Sequence, residues 1–92
     1  MVFTFEFTDN LKKIIDKLNK KDKKLADELY NKITEIIESE DIDHYKNLKY
    51  DLSDRKRVHI EKRFVLIFKF IKSEKHIIFL DFEHRDNVYK HR

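Results

Sequence analysis

With 92 residues and no cysteine, the chain has room for one domain (1–92) built on a modest core rich in Phe, Ile and Leu, with no disulfide to staple it. Glycine and proline are absent too, which excludes glycine phosphate loops and the dinucleotide fingerprint. The net charge of +3 is unevenly placed: eight Lys and no Arg stand against ten acids through Ile42 (net −2), and thirteen Lys plus Arg against eight acids from Asp43 on (net +5).

Arginine's planar fork suits phosphate, so the C-terminal half is expected to meet a polyanion; the plainer reading is a charged surface that keeps a small protein in solution. No apolar run approaches the roughly 20 residues of a membrane span and the N-terminus lacks a signal-peptide pattern, so the expectation is a cytoplasmic protein without membrane contact.

VFTFEFT alternates, with Phe3, Phe5 and Phe7 on one side, and predicts a half-buried strand. Thr8 or Asp9 then caps a helix whose apolar stripe is Leu11, Ile14, Ile15 and Leu18. Asn19 to Asp22 interrupts it, and a longer helix follows on Leu25, Leu29, Ile33, Ile36 and Ile37. The short connection predicts an antiparallel helical hairpin. From Ser39 to Asp54 periodicity fails, predicting an irregular segment pinned by Leu48 and Leu52.

Lys56 to Glu61 is a strand with Arg57, His59 and Glu61 on one face and Val58 and Ile60 on the other. After a turn near Lys62, Arg63 to Ile71 is apolar on both faces and predicts a central strand. IKSEK is a loop, HIIFLDF a second central strand, and EHRDNVYKHR a polar tail that adds a short helical turn. The order β-α-α-β-β-β gives an α+β domain, a helical hairpin packed on a small, mostly antiparallel four-stranded sheet.

The five histidines lack the i, i+4 spacing of a helical zinc motif, so neither metal nor other cofactor is expected. Ser39, Ser53 and Ser73 sit in turn-like contexts without an assigned histidine. What remains is a cationic constellation of Arg57, His59, Arg63, Arg85 and Tyr89, flanked by Lys46, Lys49, Arg55, Lys56 and Lys62. RNA cleavage without a metal needs a base for the 2′-hydroxyl, positive donors for the phosphorane and an acid for the 5′-oxygen. Arginines supply the donors, and His59 fits either proton role. Tyr89 can stack on a base or donate a proton. A phosphate-binding patch without chemistry is the alternative.

RVHIEKRFVLIFKF followed by IIFLDFEHRDNVYK resembles the RelE branch of the RelE/ParE toxin superfamily, in its R-x-H-I strand, basic turn, apolar strand and closing H-R-D-x-x-Y. The resemblance implies a RelE-like, microbial-RNase-like fold and a cytoplasmic toxin of a type II toxin–antitoxin system. Its activity would be that of an mRNA interferase, an endoribonuclease that cuts mRNA in the ribosomal A site by 2′-hydroxyl attack and leaves a 2′,3′-cyclic phosphate. The implied partners are a RelB-like antitoxin, in a heterotetramer or similar complex, and mRNA on the ribosome.

Arg63 falls on the arginine that stabilises the transition state, Arg85 on a second phosphate-contacting arginine, and Tyr89 on the stacking or acid tyrosine. Arg57 and His59 replace two lysines of well-studied relatives, which implies His59 as base or acid and Arg57 on phosphate, with Lys46 and Lys49 substituting from the preceding loop. The other readings are a ParE-like gyrase poison and a non-catalytic RNA or ribosome binder.

Overall fold

The alternating N-terminal stretch forms β1 (Thr4–Phe7), and Thr8 caps the helix after it, its hydroxyl accepting from the Leu11 N–H. The computed structural model describes residues 3–47 and 54–90, the last three through their backbone, so Leu48 and Leu52 lie outside the described residues. Helix α1 (Asp9–Lys21) runs to within one residue of α2 (Lys23–Ile37). Asp22 serves both: its N–H donates to the Leu18 carbonyl, and its carboxylate accepts from the Leu25 N–H. The break expected over Asn19 to Asp22 thus contracts to a single residue.

A 3-10 turn (Ile42–His44) leads toward β2 (Lys56–Ile60), β3 (Phe64–Ile71), a second 3-10 turn (Lys72–Glu74), β4 (His76–His84) and α3 (Arg85–Lys90). The sheet order is β1-β4-β3-β2, with β1 parallel to β4 and the other two pairings antiparallel. Both strands that read as central from sequence are central. The helices cover one face, where Leu11, Leu29 and Ile36 pack with Leu66, Phe68, Ile77, Phe79 and Phe82. Of the N-terminal phenylalanines Phe3 is buried, but Phe5 on the edge strand is 44% exposed.

One irregularity in β4 sets up the opposite face. Ile67 pairs with Asp81 while the adjacent Phe68 pairs with Phe79, so Leu80 is the extra residue of a β-bulge. Before the bulge Ile77 and Phe79 enter the helix-side core, and after it Phe82 does. Asp81 and Glu83, which unbroken alternation would aim at the helices, therefore turn to the other face.

Candidate functional site

Val58 and Ile60 belong to the helix-side core of β2, so Arg57 and His59 project from the opposite face. Two rows of register partners cross that face: Arg57, Ile67 and Asp81 form one, and His59, Val65 and Glu83 the other. Val65 and Ile67 are buried and make an apolar floor between a basic strand and an acidic one.

The turn Glu61–Arg63 closes this face at one end. Glu61 and Lys62 both hold positive φ, 55° and 65°, the left-handed conformation of a tight hairpin, here without glycine. The Arg85 N–H donates to the Arg63 carbonyl at 2.7 Å, and Arg85 Nη1 lies 3.5 Å from the Lys62 carbonyl. The two arginines are thereby stapled together at one rim, with both side chains exposed.

Electrostatics tie the groups together. Partial burial, then the positive charges of Arg57 and Arg85, hold the His59 imidazole below its ordinary pKa, so it is neutral at pH 7 and able to accept a proton. Glu83 moves the other way. Its shared hydrogen bond with Asp81, then burial and the Asp81 charge, push it up to about 7. Asp81 Oδ1 accepts from Asn10 Nδ2 at 3.0 Å and from the Phe82 N–H at 2.8 Å. Neither acid stands out in sequence, where the only signal is a pair of carboxyls two residues apart in a strand whose other residues between His76 and His84 are apolar.

The flanking cations divide. Lys46, Arg55 and Lys62 are exposed, with Arg55 Nε 3.9 Å from Asp54. Lys56, expected among the RNA contacts, is buried instead: Nζ donates to the Tyr45 carbonyl at 3.2 Å and Asn47 Oδ1 at 3.0 Å, and lies 3.8 Å from Asp43. It shares the inward parity of Val58 and Ile60, so its charge fastens the 45–47 segment and is not offered to solvent. Lys49 lies outside the described residues, and Tyr89 is placed on α3, four residues after Arg85, by its backbone.

Beside the site, α2 and the outer edge of β2 enclose a groove of about 430 Å³, lined by Glu28, Asn31, Lys32, Glu35, His59 and Glu61. There Glu28 is raised above the usual carboxylate range, chiefly by a hydrogen bond shared with Glu61. Among the described residues no three His, Cys, Asp or Glu side chains gather as a metal site.

No protein-family model matches the chain. It is 45% identical over 89 residues to a Methanocaldococcus jannaschii protein named "Putative toxin RelE4", a match spanning 97% of this chain and 93% of the relative. Among solved structures it is similar to E. coli YafQ (TM-score 0.75, 16% identity, covering 95% of this chain and 98% of that one). It is also similar to a chain of the intact E. coli RelBE toxin–antitoxin complex (TM-score 0.69, 17% identity, 89% and 95% covered).

Proposed function

The chain belongs to the RelE family of toxins from toxin–antitoxin systems, and on that premise we propose that it is an mRNA interferase that cuts mRNA in the ribosomal A site. The observation that carries this reading is the gathering of Arg57, His59 and Arg85 closely enough for both arginine charges to act on a neutral histidine. A neutral imidazole can take the 2′-hydroxyl proton as the oxygen attacks phosphorus, while Arg63 and Arg85 at the rim meet the charge that builds on the phosphorane.

Arg57 holds the phosphate, Tyr89 stacks on a base, and Lys46, Lys49, Arg55 and Lys62 follow the RNA backbone. The reaction needs no metal, since histidine and arginine supply both proton transfer and charge, and it leaves a 2′,3′-cyclic phosphate. An antitoxin of the RelB kind masks the site, in a heterotetramer or similar complex, a reading supported by the complex in which a similar chain was solved. The site of action is the cytoplasm; among the described residues no helix is long and apolar enough to cross a membrane.

Expression of the chain with primer extension on translated messages tests this. Cuts within codons should appear with the wild type and vanish with Arg85→Ala. Intact message accompanied by a DNA-damage response would overturn the reading in favour of gyrase poisoning.

A further inference from the structure

We propose that Glu83 is the proton donor of this site, giving its carboxyl proton to the departing 5′-oxygen of an RNA strand laid across β3 while His59 accepts the 2′-hydroxyl proton. The proposal rests on the ribonuclease reading above.

Geometry is the first support. The bulge at Leu80 turns Glu83 out of the helix-side core and into the row that His59 opens, with buried Val65 between them. Two strand spacings separate the His59 and Glu83 backbones, roughly 10 Å. Both side chains rise from the same floor, so a phosphodiester between them has a base on one side and an acid on the other. Cleavage without a metal requires a proton acceptor and a proton donor flanking the phosphorus.

The second support is the division of labour between the two acids. Asp81 is occupied as an acceptor, by Asn10 of α1 and by the Phe82 N–H, while its hydrogen bond to Glu83, then burial and its charge, raise Glu83 to about 7. Across the floor, partial burial and then the charges of Arg57 and Arg85 hold the His59 imidazole below its ordinary pKa. Environments that push two titrating groups in opposite directions assign them opposite proton roles. The charged groups on the surrounding elements are Arg57 and His59 on β2, Arg63 at the turn, Asp81 on the same strand, and Arg85 and Asp86 on α3.

The step balances. The 2′-oxygen loses its proton to His59 and bonds to phosphorus; the bond from phosphorus to the 5′-oxygen breaks; and Glu83 protonates that oxygen. The products are the 2′,3′-cyclic phosphate and a free 5′-hydroxyl, and solvent resets both residues.

The test is single-turnover cleavage of ribosome-bound message from pH 5 to 9. The wild-type rate should rise as His59 loses its proton and fall as Glu83 loses its own near pH 7. Glu83→Gln should lower the rate about 10²- to 10⁴-fold and abolish the alkaline fall, with binding of a 2′-deoxy-substituted message unchanged. A message whose scissile 5′-oxygen is replaced by sulfur, a leaving group that needs no acid, should restore Glu83→Gln to about wild-type rate.

Asp81→Asn removes the neighbouring charge and should move the alkaline fall to lower pH, which decides the matter if Glu83→Gln does not fold. A Glu83→Gln enzyme within threefold of wild type with the same pH profile, or one that the sulfur substrate does not rescue, overturns the assignment. In that case loss of cleavage in Arg85→Ala still upholds the ribonuclease reading. A folded wild type that cuts at no pH overturns both.

Discussion

Lys56→Met separates a folding lysine from an RNA-binding one. The ammonium makes two charge-assisted hydrogen bonds, at 3.2 Å to the Tyr45 carbonyl and 3.0 Å to Asn47 Oδ1, at 9% residue exposure. Hydrogen bonds to charged groups are worth about 1.5–3 kcal/mol each, and the low end applies because Asn47 and part of Tyr45 regain water when the lysine goes. Methionine keeps the apolar stem, so the net loss should be roughly 2–3 kcal/mol. At about 4–8 °C per kcal/mol for a domain of this size, the melting temperature should fall by roughly 10–20 °C.

The second measurement is the salt dependence of RNA binding. A lysine that neutralises a phosphate contributes about 0.7 to the slope of log K against log salt for single strands, and Lys56→Met should leave that slope unchanged. A variant that melts within about 3 °C of wild type yet loses about 0.7 from the slope would refute the internal role.

Three further outcomes follow from the geometry. Lys62→Gly should raise stability by about 1 kcal/mol in urea unfolding, because φ 65° strains a residue carrying a Cβ. Glu28 has its pKa raised by Glu61, so its folded state binds the extra proton and its contribution, present at acid pH, is lost as pH rises through the raised value. Glu28→Gln should therefore melt higher than wild type at pH 8, with the difference shrinking toward pH 4. Burial, then the Glu35 carboxylate, pushes the Tyr45 hydroxyl up to about 12, so an ultraviolet titration should show this tyrosine ionising late. Tyr45→Phe should resist alkaline unfolding better above pH 10, where the wild type loses the stability tied to the neutral phenol.

Much of the fold is legible in sequence because the burial pattern is periodic. Helical stripes and strand alternation fix the elements, and a strand apolar on both faces is a central one, as β3 proves. The parallel pairing of β1 with β4 is not legible locally, since it depends on where the helices return the chain. The burial of Lys56 is legible from parity alone, for it shares a face with Val58 and Ile60. Its positive charge, in the basic half of the chain, groups it instead with the exposed cations. Arg57, Arg63 and Arg85 are visible in sequence as cations, and His59 as a titratable group, on or beside neighbouring strands. The facing of Glu83 is not legible, because it depends on a bulge.

That bulge also explains why one strand can serve two purposes. If Leu80 were paired in register and not bulged out, the alternation of β4 would carry Asp81 and Glu83 into the helix-side core and Phe82 out of it, and a buried unpaired carboxylate costs several kcal/mol. Beyond the bulge, halfway along β4, two irregularities sit together at one end of the sheet: the left-handed residues Glu61 and Lys62, and the staple from Arg85 to the turn. The remaining positive-φ residue among those described, Lys75, ends a 3-10 turn at the opposite end. With no glycine to absorb strain, the β2–β3 turn is held in place by its neighbours. What that end of the sheet gains is a fixed rim, where the Arg85 N–H on the Arg63 carbonyl holds the two residues beside the His59, Val65 and Glu83 row.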